Sequence, residues 1–195
     1  MSLPSEFDNT YFPLHRQFIN AYIDESKAII EQFQSTAEWL EIGPQKQSHI
    51  RSVYADKSIL SLDIDDTYTP DVIADLTITN PGLASGRFAG IFCMEVLEHV
   101  VDPFAAVSEI ARILEDGGFV VVSTPLNARI HGPVPDCWRF TEFGLKVLFR
   151  NFDIIDFKKL DTPDRNLFPL HYALIARKNT QKNIDARTMQ FSYID

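Results

Sequence analysis

Residues 88–125 read FAGIFCMEVLEHVVDPFAAVSEIARILEDGGFVVVSTP, and this stretch decides the fold. Phe88 to Met94 is a compact apolar run of strand length. Behind it Val96, Leu97, Val100, Phe104, Val107, Ile110 and Leu114 recur at steps of three and four residues, the spacing of one helix face. Asp116-Gly117-Gly118 predicts a break, since glycine adopts positive φ at little cost. Phe119 to Val122 is a second apolar run rich in β-branched residues, the pattern of a buried strand. Strand, crossover helix and strand compose a right-handed βαβ unit, the building block of an open parallel sheet. Ligands of such sheets bind beyond the carboxyl ends of the strands, so Cys93-Met94-Glu95 and Thr124-Pro125-Leu126 are expected at a site.

Upstream, residues 1–13 contain Pro4 and Pro13 and no periodicity, and read as an extended arm. Phe18, Ile19, Tyr22, Ile23, Ile29, Ile30 and Phe33 then suit an amphipathic helix from Leu14 to Phe33. Short strands are expected at Glu38 to Ile42, Ser58 to Asp63 and Val72 to Ala74, with a short helix at Gln47 to Tyr54. Downstream, Thr141 reads as an N-cap. Phe152 to Phe157 and Tyr172 to Ala176 read as closing strands, antiparallel neighbours, and the tail from Asn179 as polar and loose. The pattern predicts an α/β three-layer sandwich, a Rossmann-like and mostly parallel seven-stranded sheet with an antiparallel final strand. Residues 1–36 form an arm and helix packed on the core, 37–178 the main domain and 179–195 a tail.

Composition narrows the function classes. Apolar residues make up 45% of 195, which suits one domain with a full core. The formal net charge is −9 and the basic residues form no stripe, which disfavours a partner gripped through its phosphates. No run approaches membrane-spanning length and the first residues lack a basic-then-apolar pattern, so a cytoplasmic protein with neither nucleic acid nor membrane as partner is expected. Cys93 and Cys137 make no metal-knuckle spacing.

The first strand ends in Glu41-Ile42-Gly43-Pro44, where a glycine lets a ligand approach the backbone. Gln45 and Gln47 stand where a dinucleotide fold carries further glycines, so a nicotinamide or flavin dinucleotide fits poorly. Asp63 ends the second strand 20 residues after Gly43, a separation that suits a carboxylate accepting from both hydroxyls of a ribose. The bland reading of Asp63, Asp65 and Asp66 is a solvated turn. Asp75-Leu76, after the third strand, offers a carboxylate and an apolar side chain to an adenine edge and face.

Together these parts resemble the class I S-adenosylmethionine-dependent methyltransferases, especially the small type 11 group, over roughly Glu38 to Arg177. CMEVLEHVVDP with its helix and LEDGGFVVVSTP carries the resemblance most specifically. It implies S-adenosylmethionine as cofactor. Glu41 and Gly43 would face its methionine part, Asp63 and Ile64 the ribose and adenine, Asp75 and Leu76 the adenine, and Cys93 and Met94 the sulfonium side. Glu95, Glu98 and His99 fall at i, i+3 and i+4 of the expected helix start. They read either as a divalent-metal or substrate site, as in the ubiquinone-pathway O-methyltransferases that EVLEH is similar to, or as acids favoured at a helix N-terminus with a locally packed histidine. The second reading is preferred and no metal is expected.

The loop HGPVPDCWRFT, residues 131–141, follows the strand flanking the expected methyl position. His131, and His99 before it, are the candidate catalytic bases. Asp136 and Arg139 are the candidate substrate-binding groups, Arg139 by a two-pronged hydrogen bond to an anion; alternatively they pair with each other. Similar loops occur in methyltransferases of saccharide and glycan synthesis. The expected function is therefore methyl transfer to a small molecule, such as a sugar or other hydroxylated metabolite. The alternative is a methyltransferase-like binding protein that has lost turnover. The oligomeric state is not legible.

Overall fold

A computed structural model describes residues 3–33, 35–44, 46 and 48–192; Gln45 and Gln47 lie outside them. The chain opens with α1, Glu6–Ile30, so the expected arm is largely helix. Ser5 caps it: its hydroxyl accepts from Asp8 N while Asp8 Oδ2 accepts from Ser5 N. The helix carries Pro13 in its interior. There follow β1 (Glu38–Ile42), α2 (His49–Val53), β2 (Ile59–Asp63), β3 (Val72–Ile73) and β4 (Phe88–Met94). Then come α3 (Pro103–Ile113), β5 (Leu114–Pro125), α4 (Glu142–Leu148), β6 (Phe152–Asp161) and β7 (Pro169–Lys178).

The seven strands are ordered β3-β2-β1-β4-β5-β7-β6. Strands β1 to β5 pair in parallel, and β7 runs antiparallel to both β5 and β6. The expected sheet, including its reversed last strand, is the observed one. The order reverses between β1 and β4, which places the carboxyl ends of β1, β2, β3 and β4 around one crevice.

Each face of the sheet buries its own cluster. Leu40, Ile91, Val120 and Val122 pack against α3 and α4 through Val107, Ile110, Leu145 and Leu148. Trp39, Phe92, Val121 and Ile175 pack against α1 and α2 through Ile19, Tyr22, Ile23 and Ile50. Gly90 is required by this second face, since a Cβ there would lie 2.2 Å from the Trp39 ring. The polar end is pinned as well as the core: Lys182 Nζ donates to Phe152 O at 2.6 Å and Lys146 Nζ to Ser192 O at 2.9 Å.

Two further expectations need correction. The helix after β4 begins at Pro103, not at Val96, because Asp102 caps it through Ala105 N and a residue before proline is disfavoured in helical conformation. Residues 95–101 instead form turns, with Glu95 at φ +57°. Glu95, Glu98 and His99 therefore do not share a helix face, and the helix-dipole account of the two acids falls with it. The third strand is only two residues long and ends before Ala74.

Candidate active site

A cleft of about 910 Å³ opens at the carboxyl ends of β1, β2, β3 and β4. Its walls include Glu41, Gly43, Asp63, Ile64, Asp75, Leu76 and Met94, seven of the eight expected cofactor-facing residues. Gly43 sits at φ +64°, and a Cβ there would meet Val96 Cγ2 at 2.8 Å, so a side chain is refused by both backbone and neighbour. The buried Glu41 carboxylate is held by Ser48 Oγ at 2.6 Å and Arg51 Nε at 3.1 Å. Asp63 is braced by its own strand end, Oδ1 accepting from Ile64 N at 2.7 Å and Asp65 N at 3.4 Å. Asp75 Oδ1 accepts from the backbone and hydroxyl of Thr77, both at 2.8 Å. Among the described residues the second oxygens of Asp63 and Asp75 carry no hydrogen bond.

Cys93 is the exception. It is fully buried in the α3-side core and is not a wall of the cleft, because the strand's alternation sends its neighbour Met94 to the open side instead. Burial pushes its thiol well above the ordinary range.

Beyond Met94 the site is built from turns. Glu95 is held in the left-handed region, uncommon for a residue with a side chain, and its carboxylate turns toward the sheet. Oε1 accepts from Ser123 Oγ at 2.7 Å and meets His171 Nε2 at 2.7 Å. Burial alone would raise this carboxyl, but the charge and hydrogen bond of His171, joined by Ser123, bring it below its ordinary value. His171, fully buried on β7, meets His15 of α1 at 3.2 Å between their Nδ1 atoms.

Glu98 faces the other way. It is fully buried and neither carboxylate oxygen has a hydrogen-bond partner among the described residues. Burial, with the Glu95 charge nearby, pushes its carboxyl up to about 9. The Glu98 carboxylate and the ring nitrogens of His99 and His131 lie within 4.8 Å of one another. His99 Nδ1 is 3.0 Å from Pro135 O and His131 Nδ1 is 3.1 Å from Arg129 O. A carbonyl accepts only, so each Nδ1 carries its proton and each Nε2 presents a lone pair, the arrangement that orients metal-binding histidines. These three residues could hold a divalent cation.

Asp136 and Arg139 pair with each other, Nη1 reaching Oδ1 at 2.5 Å and Nη2 reaching Oδ2 at 2.8 Å. That guanidinium contact brings the Asp136 carboxyl down to about 2. Asp136 also accepts from His131 N at 2.9 Å. The pair braces the loop that carries His131 and lines neither cavity.

A second pocket, of about 430 Å³, lies between the N-terminal half of α1 and the loop after β5. His15 and His131 line it, and Arg16, Ile19 and Glu95 belong to the walls of both cavities. Sequence reasoning missed His15, His171 and Ser123. The available signal was topological: in the register of β5 with β7, His171 stands opposite Pro125, already expected at a strand end of the site.

An open doubly wound sheet, with a glycine turn after β1 and carboxylates closing β2 and β3, defines a protein of the nucleoside-binding class. The comparisons narrow that class. A family model described as a methyltransferase domain matches residues 14–155, and the chain belongs to that family. The ubiquinone biosynthesis O-methyltransferase of Pectobacterium atrosepticum is 28% identical over 138 residues, 62% of this chain and 54% of that protein. Its counterpart in Alkalilimnicola ehrlichii is 39% identical over 64 residues, 33% of this chain and 24% of that protein. The chain thus spans about half or less of the length of these curated relatives. The crystal structure of Burkholderia thailandensis 1,6-didemethyltoxoflavin-N1-methyltransferase, with that compound and S-adenosylhomocysteine bound, superposes with a TM-score of 0.57. It is 16% identical and the match covers 91% of this chain and 92% of that one, which shows the shared fold. Among the described residues no helix is long and apolar enough to cross a membrane.

Proposed function

We propose that this protein is an S-adenosylmethionine-dependent methyltransferase acting on a hydroxylated small molecule, a class that includes sugars. The observation that carries the reading is the cleft itself: three carboxylates on successive strand ends and a glycine that admits the ligand to the backbone, around a volume within the usual range for small-ligand sites, roughly 300–1,000 Å³. When bound, the cofactor supplies a methyl group on a sulfonium, whose carbon–sulfur electron pair returns to sulfur as the acceptor oxygen attacks.

The chain's own residues orient and shield. Asp63 accepts from the ribose hydroxyls with its uncommitted oxygen, while Ile64 and Leu76 cover the adenine faces and Asp75 takes the exocyclic amine. Glu41 keeps acceptor capacity beyond Ser48 and Arg51, since a carboxylate has about four lone-pair sites. It serves the methionine end beside Gly43. Met94 borders the transfer end, where His99 and His131 meet the acceptor and Asp136 with Arg139 hold the His131 loop in place.

A second reading adds a divalent cation on Glu98, His99 and His131, favoured by the unpartnered Glu98 carboxylate. The cation would lower the proton affinity of a bound hydroxyl.

Isothermal titration with S-adenosylhomocysteine tests the main reading. One site per chain is expected. Absence of heat, together with absence of methyl transfer from S-adenosylmethionine, would remove it.

A further inference from the structure

Asp8, Arg16, Glu95 and Arg129 are the acids and strong bases that line the second pocket. Three of them are answered within the fold. Asp8 Oδ2 accepts from Ser5 N and Ser5 Oγ, both at 2.8 Å, and Arg129 Nη1 lies 4.0 Å from it. Glu95 Oε1 is taken by Ser123 Oγ and His171 Nε2, both at 2.7 Å. Arg16 is the exception: among the described residues its guanidinium has neither a hydrogen bond nor an ion pair. Its own helix supplies no counter-charge, since the positions three and four away are Phe12, Pro13, Ile19 and Asn20. Arg16, Ile19 and Glu95 are walls of both cavities, so this free cation stands where the two meet.

The imidazole next to Arg16 in sequence presents a donor. Desolvation raises the Glu95 carboxyl, yet the charge and hydrogen bond of His171 bring it below its ordinary value, so His171 is an imidazolium paired with Glu95. Both of its nitrogens then donate, Nε2 to Glu95 and Nδ1 to His15 Nδ1 at 3.2 Å. His15 is an acceptor at Nδ1 and carries its own proton on Nε2. Burial and the His171 charge hold His15 down to about 4, so the ring stays neutral and that N–H stays fixed at neutral pH. Among the described residues Nε2 has no hydrogen-bond partner, and it is not among the sealed unpartnered atoms, so it is open to the pocket. A fixed N–H beside an uncommitted guanidinium is a receptor for an oxyanion and offers no base.

We propose a further activity at this junction: the second pocket takes a carboxylic acid with an apolar body, and its carboxylate receives the methyl group to give a methyl ester. The proposal rests on the methyltransferase reading of the neighbouring cleft. Arg16 and His15 Nε2 hold the carboxylate, and a lone pair of one carboxylate oxygen attacks the methyl carbon. The carbon–sulfur bond breaks and its electron pair returns to sulfur. No proton is released, because a carboxyl group of ordinary pKa, about 4, is already ionised at neutral pH. The step therefore needs no base, which is what the donors of this pocket supply. One positive and one negative charge cancel as the bond forms, and the apolar walls, among them Phe7, Tyr11, Phe12 and Pro13, favour that loss of charge more than water does. The neutral ester no longer pairs with Arg16 and is released. His171 and Glu95 act through His15 and are positioning residues.

The test uses the full chain with S-adenosylmethionine and two probes, octanoate and 3-phenylpropionate, with the methyl ester read by mass spectrometry. Both esters are expected. Arg16→Gln should lower kcat/KM for both acids about 10- to 100-fold, the scale of a lost hydrogen-bonded charge, and His15→Phe about tenfold. Arg16→Lys should recover part of the loss, since it keeps the charge without the fork. In calorimetry with S-adenosylhomocysteine bound, 3-phenylpropionate should bind about tenfold or more tightly than 3-phenylpropionamide, an advantage that R16Q abolishes. R16Q itself should hold S-adenosylhomocysteine within about twofold of wild type. If it loses that affinity as steeply as it loses ester formation, the guanidinium serves the cofactor's own carboxylate and the proposal falls. Long-range proton–nitrogen NMR at pH 7 should show His15 protonated on Nε2 and His171 on both nitrogens, and E95Q should remove the second His171 proton. A bare Nε2 on His15 would overturn the receptor. If wild type binds S-adenosylhomocysteine yet esterifies neither acid, the carboxylate assignment is wrong. If it does not bind S-adenosylhomocysteine, the failure lies with the proposed function.

Discussion

Asp63 and Asp75 on one side of the cleft, and Glu95 and Glu98 on the other, all follow strand ends, yet they are held in opposite ways. The two aspartates each commit one oxygen to the backbone of their own turn and leave the other toward the crevice. They are partly exposed, and each is braced within its own turn. Of the two glutamates Glu98 is fully buried, while Glu95 is half-buried and borders both cavities. Glu95 is kept ionised by a histidine from β7, and Glu98, with no donor among the described residues, is pushed toward its protonated form. A site that only binds can be built from local turns. A site that moves protons needs groups whose environments pull their proton affinities apart, and these come from different parts of the chain.

The largest effect that would break this contrast is at Asp63. Asp63→Ala removes hydrogen bonds to a bound ribose from a charged acceptor, each worth about 1.5–3 kcal/mol. Calorimetry should show S-adenosylhomocysteine affinity reduced about 100-fold with thermal stability unchanged; unaltered affinity would strip the aspartate side of its role. Gly43→Ala comes next. A left-handed alanine costs about 1–2 kcal/mol before its contact with Val96 is counted, so urea denaturation should show about 2 kcal/mol lost and ligand binding weakened with it.

On the glutamate side, Mn²⁺ should broaden the His99 and His131 imidazole signals, and Glu98→Gln should weaken that effect about tenfold. Broadening that is absent in the wild type would leave Glu98 as a buried, protonated acid and end the cation reading.

The smallest effect is on stability against pH. The unfolded chain protonates His15 near 6.5, while the folded one resists until about 4. Below 6.5 the unfolded state therefore binds more protons, and the stability due to neutral His15 is lost as pH falls through that window. The urea midpoint of H15Q should decline less steeply than wild type between pH 6.5 and 4. Parallel slopes would mean that His15 is already protonated in the folded protein.

The same contrast explains what the sequence made legible. Strand, carboxylate and turn are contiguous, so the 20-residue interval from Gly43 to Asp63 could be read from spacing and the Asp75-Leu76 pair from its place after a strand. The βαβ unit was equally clear, because its two apolar runs lie in one stretch, although the helix ends at Ile113 and Asp116-Gly117-Gly118, expected to break it, fall inside β5. The EVLEH segment misled, since its apolar spacing imitates a helix that Asp102-Pro103 delays. His15 and His171 are separated by 156 positions, and nothing local marks either of them. The pairing of β5 with β7 carries His171 to the site, and the cap at Ser5 starts α1 early enough to lay a residue read as arm, Phe7, and then His15 over it. Pro4 and Pro13 hid that cap, although Ser5 and Asp8 stand at capping-box spacing.

The family match begins at residue 14, whereas Phe7, Tyr11 and Phe12 of the second pocket come before it. The shared scaffold thus ends just short of the wall that faces a visiting molecule. A chimera exchanging residues 3–13 changes that wall while leaving the matched scaffold untouched.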